Sequence, residues 1–187
     1  GTAPLRRVDL LRGGERVATE RFDRGRDRVE ITWSGARSRA RDKVLDWSGL
    51  ASLDRGVVGE AEAFGFDHPR QGIVDRTATE LRWDATTTGN HQGVRLDADA
   101  PGGATLSVDT PPVSTAVRLD DLAEPVAVHA DGVDAGLRVE RVGSPTVSDA
   151  SVSVTDDPDA GTHPYYVRVQ QFDGNMAWSS PAFVTVE

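Results

Sequence analysis

The chain is built of short runs in which apolar and polar residues alternate, cut at close intervals by Gly, Pro and Asp. Period-two alternation marks strands whose two faces see different surroundings. Val8 and Leu10 alternate ahead of Gly13-Gly14, and Val17 follows; the glycine pair supplies the positive φ of a tight hairpin. "RVEITW" puts Val29, Ile31 and Trp33 on one face, and "KVLDW" does the same for Lys43, Leu45 and Trp47. The next runs set Leu81 with Trp83, Val94 with Leu96, Leu106 with Val108, and Val117 with Leu119. "PVAVHADG", "GLRVERVG" and "ASVSVTDD" repeat the pattern and predict three more strands. In the closing segment Tyr165, Val167 and Val169 alternate with Tyr166, Arg168 and Gln170 before Asp173-Gly174 turns the chain. Trp178 leads into a last strand with Ala182, Val184 and Val186, and Pro181 requires an edge or a break there.

No stretch of twelve residues carries a helical period, and the least regular region, around 51–72, holds a strand near Val57-Val58 and a loop near His68-Pro69. The pattern therefore predicts an all-β fold: one antiparallel β-sandwich, immunoglobulin-like or jelly-roll-like, over residues 1–187. Within it, "ITWSGARSRARDKVLDWSG" (31–49) reads as a hairpin whose two Trp-Ser-Gly triplets end neighbouring strands. Gly35 is expected to flip the face there, leaving Ala36 inward.

Composition sharpens this picture mainly by exclusion. At 187 residues the chain is long enough to bury roughly 70% of its unfolded surface. It has no cysteine, so disulfides, zinc-thiolate sites and thiol nucleophiles are excluded together. Its 30 acidic residues outnumber 21 basic ones, Lys43 is the only lysine, and the net charge of −9 resembles the acidic surfaces of salt-adapted proteins. Such a surface disfavours nucleic acid, which is bound by neutralising phosphates. No apolar run is long enough for a membrane span, and "GTAPLRRVDL" does not read as a signal peptide, so a cytoplasmic location is expected.

Candidate chemistry is sparse. Arg37, Arg39 and Arg41 fall on alternate residues, so on a strand they would share a face and could hold an anionic ligand bidentately. The competing reading is a solvated, salt-bridged face in an Asp-rich chain. The tryptophans at 33, 47, 83 and 178 read mainly as core anchors, although an exposed one could stack on a sugar ring. The histidines at 68, 91, 129 and 163 lack metal-ligand spacing. The Asp groups 97/99 and 156/157/159 lack the full calcium-loop pattern and read as turns. No metal, cofactor or catalytic residue is expected.

Together "ITWSGARSRARDKVLDWSG", "LRWDATTTGNHQGVRLDADAP", "VSTAVRLDDL" and "YYVRVQQFDGNMAWSSPAFV" resemble the β-rich C-terminal domain of a family of unassigned function similar to PHP-type metal-dependent phosphoesterases. The resemblance covers most of the chain, is weakest over 50–75, and is most specific in the last segment, where Ala182 stands at a position expected to hold a larger apolar side chain. It implies an accessory domain of a longer chain, whose partner is the N-terminal, metal-binding hydrolase-like domain of the same parent. The family's metal-binding histidines belong to that other domain, so none is carried over here. The expected role is non-catalytic packing against that domain. The alternative is a ligand-binding module for a glycan or anion that uses an exposed Trp and the Arg37/Arg39/Arg41 face.

Overall fold

The computed structural model describes residues 3–23, 28–37 and 43–187. It is an all-β protein of antiparallel sheets, with a single 3-10 turn at Leu119–Asp121 as the only helical element among the described residues. The chain divides into two compact units, one formed by residues 1–24 with 143–187 and the other by 25–142. The first unit opens with β1 (Leu5–Arg12) and β2 (Glu15–Arg21). The second holds β3 (Arg28–Ala36), β4 (Leu45–Asp46), β5 (Gly49–Leu53), β6 (Val57–Phe64), β7 (Gly72–Arg76) and β8 (Glu80–Asp84). It continues with β9 (Thr86–Thr87), β10 (His91–Asp99), β11 (Thr105–Asp109), β12 (Ser114–Arg118), β13 (Val126–His129) and β14 (Val133–Val142). The chain ends with β15 (Gly161–Gln171), β16 (Met176–Trp178) and β17 (Ala182–Val186) in the first unit.

Residues 25–142 form a β-sandwich. One sheet runs β13-β14-β3-β10-β6, the other β12-β11-β5-β8-β7, and β4 pairs β9 in a short extra ladder. The alternation read from the sequence fills the space between the sheets. Val29, Ile31 and Trp33 are fully buried, as are Val94 and Leu96 of β10 and Leu137 and Val139 of β14. Facing them across the core are Ala51, Leu53, Leu81, Trp83, Leu106 and Val108. At about 25 cal/mol per Å² of apolar surface, this continuous cluster is the main stabilising term of the unit. Trp33 stacks on Trp83 with ring centroids 5.2 Å apart and 10° between planes, and Phe66 meets Trp33 edge-on at 6.2 Å.

A buried indole N–H needs an acceptor, and each core tryptophan has one. Trp33 Nε1 donates to Gln92 Oε1 at 3.3 Å, Trp47 Nε1 to Thr87 Oγ1 at 3.1 Å, and Trp83 Nε1 to the Trp47 carbonyl at 2.7 Å. Thr87 Oγ1 in turn donates to the Gly35 carbonyl at 2.6 Å. The expected 31–49 hairpin is overturned. Strand β3 pairs β10 and β14, whereas β4 pairs β9, so the two Trp-Ser-Gly triplets do not end neighbouring strands. Ala36 is buried as expected, and Gly35 has φ of +114°. A Cβ on Gly35 would lie 2.4 Å from the Ala135 Cα, so no side chain fits there.

The sheet of residues 1–24 and 143–187 runs β16-β15-β1-β2, with β17 also paired to β15. Gly13 (φ +58°) and Gly14 (φ +101°) turn β1 into β2, as the sequence indicates. Val8, Leu10, Ala18 and Val167 lie on one face, under Val152 and Val154. Those two valines belong to "ASVSVTDD", which the alternation assigned to a strand; the segment makes no ladder. Its alternating valines line a hollow over that sheet face and stay 39% and 40% exposed.

Candidate functional site

In a ladder, directly paired residues present their side chains on the same face. Four strands of the first unit's sheet therefore carry one continuous row. Trp178 of β16 pairs Arg168 of β15, Arg168 pairs Asp9 of β1, and Asp9 pairs Thr19 of β2. The next row holds Met176, Gln170, Arg7 and Arg21, and Tyr166, Leu11 and Arg16 make a third. Phe183, opposite Pro164, continues the same face onto β17.

The centre of this face is electrostatically fixed. Asp9 is buried; its carboxylate accepts from Thr19 Oγ1 at 2.7 Å and from Arg168 Nε and Nη2 at 3.0 and 2.7 Å. Arg7 and Arg16 approach it at 3.3 and 3.4 Å. Burial pushes the Asp9 pKa up, but the hydrogen bonds from Thr19 and Arg168 and the charges of Arg7 and Arg16 outweigh that and hold it below the ordinary carboxylate value. Asp23 repeats the arrangement at one end of the sheet. Burial raises its pKa, and Arg21, bonded at 2.8 Å through two nitrogens, together with Arg6 at 3.0 Å, brings it below normal.

Beside this pinned centre, β16 and β17 carry exposed apolar side chains. Trp178 is 57% exposed, Phe183 70% and Met176 48%. Trp178 thus departs from the core reading that holds for Trp33, Trp47 and Trp83. A ring of this size left in water is not a core element and is open to stacking or docking. On the opposite face, Arg12 Nη1 and the Tyr165 hydroxyl both donate to Asp156 Oδ2, at 2.9 and 2.7 Å. That hydrogen bond to Asp156 raises the Tyr165 pKa.

The predicted arginine stripe is only partly described. Arg37 is exposed and its backbone N–H donates to the Lys43 carbonyl at 3.1 Å, while Arg39 and Arg41 lie outside the described residues. Among the described residues no set of three or more His, Asp or Glu converges in a way that could hold a metal. Of the Asp groups read as turns, Asp97 takes Arg28 Nε at 2.9 Å and Asp156 serves Arg12 and Tyr165, so both have structural partners.

The sequence reading did not isolate the Trp178 face, although a signal for it existed. A loop at 172–174 centred on Asp173 places 178 opposite 168, hence Trp178 beside Arg168 on the even-numbered face of β15. No family model, curated protein or solved structure matches the chain.

Proposed function

We propose that the chain is a non-catalytic accessory module that docks against a partner domain through the Trp178 face, the partner being a PHP-like metal-dependent hydrolase domain of the same parent protein. The observation that carries the docking is the exposed Trp178, Met176 and Phe183 on one sheet face, beside the ion-paired Arg168–Asp9–Thr19 row. Large apolar side chains protruding beside a fixed charged centre supply anchors of the kind that dominate docking surfaces. The identity of the partner rests on the resemblance of the sequence segments alone.

The test is titration of the chain into the N-terminal domain of its parent protein, monitored by calorimetry. Trp178→Asp with Phe183→Ser should weaken binding at least a hundredfold without unfolding the sheet. Unchanged affinity, or turnover of phosphoesters by the chain itself when supplied with divalent metals, would overturn the reading. A second reading, glycan binding, is favoured by one specific feature, the exposed Trp178 indole next to Arg168. Oligosaccharide or phosphosugar titration that shifts Trp178 emission, and not that of the buried indoles, would select it.

A further inference from the structure

The sandwich of residues 25–142 has a second place where side chains converge, on the outer face of the sheet β13-β14-β3-β10-β6. Cross-strand pairing puts His91 of β10 opposite Ser34 of β3, Ser34 opposite Gly136 of β14, and Gly136 opposite His129 of β13. With strands about 4.8 Å apart, the two histidine backbones stand about 14 Å from each other. Between them the floor carries only a hydroxyl and a glycine. The result is a trough between two imidazoles, part of a cleft of about 470 Å³ that also takes in Thr32 and Arg138. Thr32 and Arg138 are themselves cross-strand partners, one row along.

Charge is distributed unevenly over this face. Away from the trough, acids and arginines are matched: Arg95 Nε binds Glu30 at 2.6 Å, and Arg28 binds Glu62 at 2.7 Å and Asp97 at 2.9 Å. Arg138 leans toward this end, its Nε and Nη2 both donating to the Glu140 carboxylate at 3.3 Å, and keeps 44% of its side chain in solvent. The trough row itself contains no acid on the sheet, only the Ser34 hydroxyl and two imidazoles. Asp134 is the one acidic side chain among the lining residues. It sits at the rim in a bulge, with φ of 50°, where its carbonyl oxygen accepts from Ser34 Oγ at 3.1 Å. A bulge with a non-glycine residue in the left-handed region is a costly way to shape a sheet edge, and such devices re-aim side chains beside sites.

The lining thus offers an oxygen acceptor the solvent-facing side of the Arg138 guanidinium, the Thr32 hydroxyl and two imidazoles, while the Ser34 hydroxyl is given to the Asp134 carbonyl. Exposed Ala127 and the neighbouring Ala130 give its outer side apolar surface. The cleft falls in the size range of small-molecule sites and is larger than a bare inorganic ion needs. We infer that this trough binds a small organic oxyanion, a carboxylate or phosphate ester, with its head between Arg138 and Thr32, its flanks against His91 and His129, and a compact apolar body along β13.

The experiment is an NMR titration of the full chain with phenyl phosphate and, separately, benzoate at constant ionic strength, following the imidazole signals of its four histidines. The expected result is saturable movement of His91 and His129 with one shared Kd, while His68 and His163 stay still. Saturation by either probe supports the site, and the tighter of the two assigns its head group. Ala127→Glu, at an exposed edge position, should weaken binding at least tenfold by placing a like charge in the trough. Asp134→Asn, which tolerates the left-handed backbone, should tighten it severalfold. Movement of all four histidines together without saturation, no movement at all, affinity unchanged by Ala127→Glu, or weaker binding in Asp134→Asn would each overturn the proposal.

Discussion

Trp33 of β3 and Trp83 of β8 stack across the sandwich with their planes 10° apart and their centroids separated by 5.2 Å. The two residues belong to opposite sheets, so this contact joins the layers. Both indoles are almost completely buried, and their N–H groups go to Gln92 and to the Trp47 carbonyl. Trp83→Ala should cost about 3–5 kcal/mol through lost burial and the cavity left behind. Trp83→Phe should cost less, keeping a ring for Trp33 but orphaning the Trp47 carbonyl. Urea unfolding followed by near-ultraviolet circular dichroism checks both, because the stacked pair gives a signal that either substitution removes.

Trp178 is expected to behave in the opposite way. Trp178→Ala removes a ring that is more than half exposed, so stability should change by no more than about 0.5 kcal/mol. Its fluorescence should dominate iodide quenching of the wild-type chain, since Trp33, Trp47 and Trp83 are closed to solvent. Loss of most quenchable emission in Trp178→Ala, with an unchanged unfolding midpoint, is the expected outcome.

This contrast marks how far the sequence could be read. Alternation identified the faces of β3, β8, β10, β11 and β14, and the core at Val29, Ile31, Leu81, Val94, Leu96, Leu106 and Val108 lies where it indicated. Period-two patterning is set by what each face touches, and that information is local. Pairing is not local. The 31–49 segment looked like a hairpin because its two Trp-Ser-Gly triplets echo each other, yet β3 takes its partners from residues 91–99 and 133–142. The valines at 152 and 154 show the same ambiguity, for they alternate without forming a ladder. The face that carries Trp178 and the trough between His91 and His129 both arise from cross-strand rows of three or four strands. Such rows become visible only when register is known: the 172–174 loop gives Trp178 opposite Arg168, but the rest of that face and the trough could not be assembled from motif spacing.

Asp9 makes a prediction about acid. Its carboxyl is held below the ordinary value by hydrogen bonds and three arginines that outweigh burial. A carboxyl whose folded-state pKa is depressed contributes stability that is fully present above its unfolded value of about 4. That contribution is lost as pH falls through the folded-state value. Asp9→Asn should therefore destabilise the sheet at pH 7 by about 3 kcal/mol, because it leaves the cluster of arginines without its counter-charge. Below about pH 4 the difference from the wild-type chain should narrow. Chemical denaturation at a series of pH values measures this, and a gap that stays constant with pH would contradict the assignment.

Tyr165 gives the complementary prediction at high pH. Its hydroxyl donates to Asp156 Oδ2 at 2.7 Å, and that bond favours the neutral phenol, raising its pKa above the ordinary value despite the opposing influence of Arg12. The stabilisation from the bond is present below the unfolded tyrosine value near pH 10 and is lost as pH rises through the folded-state value. The chain contains only two tyrosines, so absorbance titration near 295 nm of the wild-type chain and of Tyr165→Phe isolates the late step that belongs to Tyr165. Tyr165→Phe should remove that late step and leave the other. Asp156→Asn keeps an acceptor oxygen but takes away the charge, so it should move the late step downward without abolishing it. If Asp156→Asn leaves both steps in place, the carboxylate is not what holds the Tyr165 proton.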